Sequence, residues 1–457
     1  MTPSSTGPER LSGVTAIILA AGVGSRMHAA QPKVLHPLLG RPMALWVVEA
    51  ARSALNDPAL LLLSPATASL HALAPVGTLR AEQPQPRGTG DAVRCALLAL
   101  PAGVSEVLIA YGDTPLLEPS SISALIATRR AARTPIALAA FHADDPTGYG
   151  RVELNNEGRA VRIVEERDAT EEGRANDLVN AGLYAVERAW LEVALSALSP
   201  STESGEIYLT DLVARAAEEG KPAPVLLGSG VDLEGVNDRR QFADASAALR
   251  ERINAAHLER GVGMMDPTTT WIEPTVSIAA DVMIEPNVML SGNTSIGART
   301  RIEAGSRIRE SEIGEGCTIR ASDIDSSRIA DGVDVGPFAH VRPGCTIGAG
   351  SHVGNFAELK ATTLAAKVKV GHHSYLGDTI VGEASNIGAG TITATYNGEK
   401  KHATKIGAGV FTGVGTLIVA PLTMGDRSKT GAGAVVLKDV PAGALVVGVP
   451  ARTVGGA

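Results

Sequence analysis

Residues 295–320 read SIGARTRIEAGSRIRESEIGEGCTIR, and within them Ile296, Ile302 and Ile308 stand six apart. A period of six is neither the 3.6 of an amphipathic helix nor the alternation of a half-buried strand. It marks a parallel β-helix, in which each hexapeptide forms one face of a prism and the inward aliphatics of successive coils stack. The same beat is present in VSIAADVMIEPNVML (276–290), CTIGAGSHVG (345–354), VKVGHHSYLG (368–377), SNIGAG (385–390), KIGAGVFTGVG (405–415) and TMGDRSKTGAG (423–433). It therefore runs from about 274 to 450. Glycines after the aliphatics permit tight corners. Such a solenoid needs little aromatic bulk, and aromatic residues are only 3% of the chain.

Just ahead of this region, residues 238–260 (DRRQFADASAALRERINAAHLER) hold no Gly or Pro. Asn237 or Asp238 can cap a helix there and Gly261 can end it. Further upstream, to about residue 235, apolar runs alternate with Ala- and Leu-rich stretches. VTAIILAAG (14–22) and EVLIAYGD (106–113) read as buried strands and PMALWVVEAARSAL (42–55) as a helix. That alternation argues for a domain built on a mostly parallel sheet. The expected fold class is α/β: a polar leader at 1–13, a Rossmann-like domain at 14–237, a linking helix at 238–262 and a β-helix at 263–457.

The totals agree with two domains, since 457 residues exceed one ordinary core. Forty-nine acidic against 41 basic residues leave a formal charge of −8. This argues against nucleic acid or an anionic membrane as a partner, while a local basic pocket remains open. Cys95, Cys317 and Cys345 are scattered and odd in number, with no CxxC spacing, which fits a reducing compartment. No apolar run approaches the roughly 18 residues of a membrane helix. The opening MTPSSTGPERLSG has no signal-peptide core. A soluble cytoplasmic protein is expected.

In LAAGVGSRM (19–27), Gly22 and Gly24 follow a buried strand. Glycines in that place let backbone N–H groups close on phosphate oxygens, helped by a following helix N-terminus. Arg26 adds a fork-shaped donor and Lys33, in QPKVL, a point charge. The stretch is neither a full dinucleotide fingerprint nor a Walker loop. In YGDTPLL (111–117), Asp113 lies just past the second strand, where α/β sheets present ligands. It suits Mg²⁺ beside phosphates or, equally, the N-cap of a helix.

LAAGVGSRM, PKVL, QPQPRGTGDA (83–92), YGDTPL, DDPTGYGRV (144–152), IVEERDA (163–169), VNAGLY (179–184) and EGVNDR (234–239) occur in one order. Together they resemble the sugar-nucleotidyltransferases, most closely the bacterial bifunctional N-acetylglucosamine-1-phosphate uridylyltransferase / glucosamine-1-phosphate N-acetyltransferase family. The resemblance covers essentially all of the chain except the leader. It implies that Leu19, Ala20, Ala21 and Gly22, with catalytic Arg26 and Lys33, surround the phosphates of UTP. Gln83, Gly88 and Thr89 would read the uracil, Tyr111 and Gly112 would line the same site, and Gly150, Glu165 and Asn180 would hold the N-acetylglucosamine moiety. Asp113 and Asn237 would bind Mg²⁺.

In the second half, NFAELKATTL (355–364), GHHSYLGD (371–378), NIGAGTITATYNG (386–398) and KHATKIG (401–407) carry the resemblance. It implies a left-handed coil and transfer of an acetyl group from acetyl-CoA to glucosamine 1-phosphate. His372 would be the base, with His373 at a variable position. Arg342 and Lys360 would clamp the sugar phosphate, Tyr375 and Asn386 would hold the sugar, and Ala389, Tyr396, Lys401 and Ala432 would match acetyl-CoA positions. Two positions depart from the family pattern. Val414 replaces a common serine and Gly448 a common arginine, for which Arg452 is a possible substitute. A structural corner histidine, and a three-histidine zinc site drawn from His340, His352, His372, His373 and His402, are the competing readings. The activity implied is synthesis of UDP-N-acetylglucosamine, feeding peptidoglycan and lipopolysaccharide, by a homotrimer. Its rivals are a single-activity nucleotidyltransferase and a regulatory scaffold.

Overall fold

The computed structural model of the protein describes residues 11–22, 24–201 and 205–455. Residues 1–10 of the expected leader lie outside them. Leu11 packs against the first core, and the Gly13 carbonyl accepts from the N–H groups of Ser105 (2.9 Å) and Glu106 (3.1 Å), so the end of that segment is part of the domain. The chain divides into two compact units, 1–248 and 249–457.

The first unit is built on a nine-stranded sheet. Its main path runs Val225–Leu227, Ile136–His142, Leu178–Glu187, Glu106–Tyr111, Val14–Leu19, Leu60–Leu63 and Leu79–Glu82. All main-path pairings are parallel except those of Leu178–Glu187, which is antiparallel to both neighbours. Runs such as Leu60–Leu63 are buried throughout, as expected for a sheet covered on both faces. Helix Met43–Leu55 contributes Val47, Val48 and Ala51 to one core, and helix Thr89–Leu97 contributes Val93 and Ala96 to the other. One expectation fails. No α-helix follows the glycine loop directly; short 3₁₀ turns occupy Ser25–Met27 and Lys33–Leu35, and the first α-helix starts at Met43. Gly24 has φ +73°, outside the right-handed helical region, and a Cβ on it would lie 2.6 Å from the Lys33 stem.

The expected long helix is Arg239–Glu259. Asp238 accepts from the Gln241 N–H at 2.8 Å, so Asp238 rather than Asn237 caps it, and Gly261 leaves it at φ +89°. The boundary between the units falls inside this helix. Phe242 packs edge-on to His36 in the first unit. Asn254 donates to the carbonyls of Pro267 and Thr270 in the second.

From Gly263 onward three parallel sheets of 8, 10 and 9 strands form the prism faces. Most coils repeat every 16 to 18 residues, pairing Met283 with Arg301, Arg301 with Thr318, Thr318 with Asp334 and Asp334 with His352, while a longer coil pairs Thr379 with Thr404 and Ile392 with Leu417, 25 residues apart. Ile284, Ile302, Ile319, Val335, Val353, Val370 and Ile387 stack as one inward column, each almost fully buried. Each such burial is worth about 1.5–3 kcal/mol before entropy. Corner hydroxyls bind one coil to the next: Thr300 donates to the Gly314 carbonyl (2.8 Å), Thr362 to Leu376 (2.9 Å) and Ser385 to Gly407 (2.8 Å). The solenoid ends in an antiparallel strand, Arg452–Gly455, paired with Leu445–Val447.

Candidate active sites

In the first unit, strands Val14–Leu19 and Glu106–Tyr111 lie side by side with Leu19 opposite Tyr111, so Ala20–Gly22 and Gly112–Asp113 leave the sheet together. The Gly112 N–H donates to the Leu19 carbonyl at 2.9 Å. Leu19, Ala21, Gly22, Lys33, Gln83, Gly88, Thr89, Tyr111 and Asp113 line one cavity of about 380 Å³. Gln83 is fixed by donating to the Gly88 carbonyl (3.1 Å) and to Asp91 (2.9 Å). The Gly88 corner has φ +96°, and a Cβ there would meet the Ile207 carbonyl oxygen at 2.4 Å. Only glycine suits that turn. Thr89 accepts from the Leu209 N–H at 3.0 Å.

Arg26, Lys33, Asp113 and Asn237 form one cluster although Asn237 is 204 residues from Lys33. The Val236 N–H binds the Asp113 carbonyl at 2.7 Å and joins the two loops. The Lys33 ammonium is ion-paired with Asp113 and donates to Asn237 Oδ1 at 3.1 Å, while Arg26 donates to the same oxygen at 3.0 Å. Asp113 is therefore not a helix cap; the next helix starts at Pro119 with Glu118 before it. A carboxylate and an amide oxygen facing one ammonium are a hard-oxygen pair already turned to a cation, and such a pair fits Mg²⁺.

The residues expected on the sugar side, Gly150, Glu165 and Asn180, also converge. The Asn180 N–H binds the Gly150 carbonyl at 2.9 Å, and a Cβ on Gly150 would lie 3.7 Å from Glu165 Oε2. Glu165 accepts from the Thr210 hydroxyl at 2.9 Å, and burial raises its pKa. Burial also pushes the Tyr111 and Tyr184 phenols well up. The Asn180 amide donates to the Tyr184 hydroxyl at 2.6 Å. A second cavity, of about 360 Å³, contains Glu165 and shares Tyr208 with the first. Tyr184, Thr210 and Tyr208 were not singled out from sequence. Tyr208 and Thr210 lie one and three residues past Ile207, whose carbonyl faces Gly88, a contact that only the folded chain reveals.

In the second unit, backbone bonds between successive coils align Asn355, His372, Ala389, Val414 and Ala432 along one corner. The N–H of His373 binds the Asn355 carbonyl (3.0 Å), Gly390 that of His372 (3.4 Å), Gly415 that of Ala389 (2.7 Å) and Gly433 that of Val414 (2.8 Å). Below the exposed His372 ring this column carries only small or aliphatic side chains, with Val414 exposed. The His372 ring is hydrogen-bonded through Nδ1 to Asn355 Oδ1. Asn355 was missed from sequence, although it stands one coil length before His372.

Around the corner, Arg342 donates to Glu358 at 2.8 Å, and Lys360 to both oxygens of Asp378 at 2.9 Å. Tyr375 pairs across strands with Glu358. Lys401 comes from a loop closed by a Tyr396–Lys401 bridge, and meets Lys360. The neighbouring Lys360 pushes the Lys401 pKa down, and Asp378 raises that of Lys360. The structure thus joins Lys401 to Lys360 and Arg342, the pair expected to clamp the sugar phosphate, a link absent from the sequence reading. Asn386 lies on a different face, paired with Lys369, and Tyr396 is exposed on its loop. Gly448 has φ +91°, a conformation that an arginine would adopt only with strain, and Arg452 is paired with Val447 on the last strand. No group of three or more His, Cys, Asp or Glu side chains is placed to hold a metal among the described residues, so the three-histidine zinc reading gains no support.

Residues 16–201 match the model of the MobA-like NTP transferase domain, and residues 326–361 match that of the bacterial transferase hexapeptide (six repeats). The chain is 41% identical to the bifunctional protein GlmU of Sorangium cellulosum, over 95% of this chain and 93% of that protein. It is 40% identical to that of Mycolicibacterium gilvum, over 98% and 92%, and 41% identical to that of Pelobacter propionicus, over 96% of each. With both halves matched in order along nearly the whole length, the chain belongs to the bifunctional GlmU family, a nucleotidyltransferase joined to a hexapeptide transferase.

Proposed function

We propose that this enzyme makes UDP-N-acetylglucosamine in two steps, each in its own unit. In the C-terminal site, glucosamine 1-phosphate is anchored by Arg342, Lys360 and Lys401 through its phosphate, and by Tyr375 and Asn386 through its sugar. His372 Nε2 takes a proton from the amine, whose nitrogen attacks the acetyl-CoA thioester; the carbon–sulfur bond breaks and coenzyme A leaves. The small column Ala389, Val414 and Ala432, with Tyr396 beside it, gives the extended thioester arm a track along the corner.

In the N-terminal site, Gln83, Gly88 and Thr89 face the uracil, and Tyr111 and Gly112 close the floor. The backbone of Leu19, Ala20, Ala21 and Gly22, with Arg26 and Lys33, surrounds the triphosphate. Gly150, Glu165 and Asn180 hold N-acetylglucosamine 1-phosphate so that a phosphate oxygen attacks the α-phosphorus of UTP in line and pyrophosphate departs. Asp113 and Asn237 would hold Mg²⁺, which neutralises charge on the phosphates when bound. Arg26 and Lys33 then turn from Asn237 and Asp113 to phosphate oxygens.

One observation carries this reading above the rest: His372 shares a single corner column with three of the residues assigned to acetyl-CoA. A homotrimer is also proposed, supported by the exposed apolar pair Ile392 and Leu417 on one sheet of the prism. No helix among the described residues is long and apolar enough to cross a membrane. Dependence on UTP and acetyl-CoA supports a cytoplasmic setting. The test is one purified sample given glucosamine 1-phosphate, acetyl-CoA and Mg-UTP, with free thiol and pyrophosphate followed separately. Thiol first and pyrophosphate after it is the expected result. Pyrophosphate only from ready-made N-acetylglucosamine 1-phosphate, with no thiol, would leave a single-activity nucleotidyltransferase.

A further inference from the structure

A neutral imidazole has two nitrogens, of which only the unprotonated one can take a proton. The hydrogen bond made by the other decides which that is. His372 ends strand Lys369–His372, directly opposite Asn355 at the end of strand His352–Asn355. The contact to Asn355 is made through Nδ1. The next residue on each coil is locked in turn. Phe356 and His373 both adopt left-handed backbone (φ 55° and 46°), and their rings stack at 5.0 Å and 19°. Phe338, one coil earlier at φ 60°, stacks on Phe356 at 5.5 Å and 16°. Three exposed rings on successive corners are unusual in a chain with only five phenylalanines. They brace the turn on which His372 and Asn355 sit.

We propose that Asn355 is the positioning residue of acetyl transfer, its side-chain oxygen accepting the Nδ1 proton of His372 and so keeping Nε2 bare for the substrate amine. The Phe338–Phe356–His373 stack holds the two coils in register. The proton leaving the amine then goes to Nε2, the new bond is nitrogen to acetyl carbon, and the broken one is carbon to sulfur. The resulting imidazolium keeps both N–H groups, one still bonded to Asn355, until it returns a proton to the departing thiolate. A misplaced proton on Nε2 would block the first of these steps while leaving both substrates able to bind.

This inference rests on His372 as the base, and the test separates the two. In Asn355→Ala the backbone bond from His373 to the Asn355 carbonyl remains possible, and so does the ring stack. The expected result is a fall in kcat for thiol release of about 10- to 100-fold, below or within the span of losing a general base altogether. Both KM values and the uridylyl reaction stay unchanged. Asn355→Asp, which keeps an acceptor, should restore activity over Asn355→Ala. Nitrogen-15 NMR of the wild-type enzyme should find His372 protonated on Nδ1 and bare on Nε2, a preference lost in Asn355→Ala. Unchanged kcat in a folded Asn355→Ala, or an Nε2-protonated ring in the wild type, would overturn the inference alone. Persistence of thiol release in His372→Ala would overturn the base assignment beneath it.

Discussion

Lys33 occupies the position proposed above for a divalent cation. Its ammonium is already ion-paired with Asp113 and hydrogen-bonded to Asn237 Oδ1, so a metal arriving there without nucleotide must compete with a tethered cation. Lys33→Met should bind Mn²⁺ alone several-fold more tightly than the wild type, read by electron paramagnetic resonance or calorimetry, while uridylyl transfer falls. Equal Mn²⁺ affinities would show that the ion pair does not guard the site. Glu165 raises a different question, because burial lifts its pKa above the ordinary 4.5. The folded state then holds the proton more tightly than the unfolded one. That contribution is complete below about pH 4.5 and is lost as pH rises through the raised value. Glu165→Gln should accordingly melt higher than the wild type in mildly alkaline buffer, with the gap closing toward acid. A gap independent of pH would mean that the carboxylate is not strained by burial. Single residues of this kind were only partly legible. Arg26, Lys33 and Asp113 stand in short local motifs, but Asn237 joins them from 204 residues beyond Lys33, through a contact no spacing rule reveals.

At the scale of elements, the strand Leu178–Glu187 bends between Asn180 and Tyr184, where its register against Ile136–His142 shifts. Gly182 has φ +68° in that bend, and a Cβ on it would lie 2.5 Å from the Tyr111 ring. Gly182→Ala combines a left-handed backbone penalty with overpacking, about 2–4 kcal/mol in total. Urea unfolding of the N-terminal unit should show that loss, together with a raised KM for N-acetylglucosamine 1-phosphate. A variant within experimental error of the wild type would mean that the bend relaxes freely. The strands of the β-helix were legible because inward Ile and Val recur with the period of the prism face. Their hand was not, since a six-residue period is the same for either hand, and left-handedness enters only with family membership. The cross-coil partner of His372 also escaped notice. A period of six finds faces, whereas Asn355 is found only by stepping back a whole coil of 17 residues.

For the whole molecule, two compact units with separate cores imply separable failure. Asp113→Asn should lower Mg²⁺-dependent pyrophosphate release by about 100-fold or more while thiol release continues. His372→Ala should do the reverse. Loss of both activities in either folded variant would contradict independent sites. The division into two styles of sequence was the most legible feature of all, because a Gly- and Ile-rich hexapeptide rhythm and alternating strand–helix runs cannot be confused. The exact division was less so, since it falls inside a helix whose two halves pack on different cores.

The coil register has a mechanical side. Each coil is held to the next by parallel strand pairs and by hydroxyls such as those of Thr300, Thr362 and Ser385, all directed along the solenoid axis. A chain drawn from its C-terminal end by optical tweezers loads one coil interface at a time. It should lengthen in a sawtooth, most teeth freeing 16 to 18 residues and the coil that carries the Tyr396–Lys401 loop, with Thr379 paired to Thr404, freeing 25. An ordinary tooth is then about 55–65 Å of extended polypeptide, and the long one proportionately more. The N-terminal sheet, whose neighbouring strands come from distant parts of the sequence, has no such series of links and should give way in one larger extension.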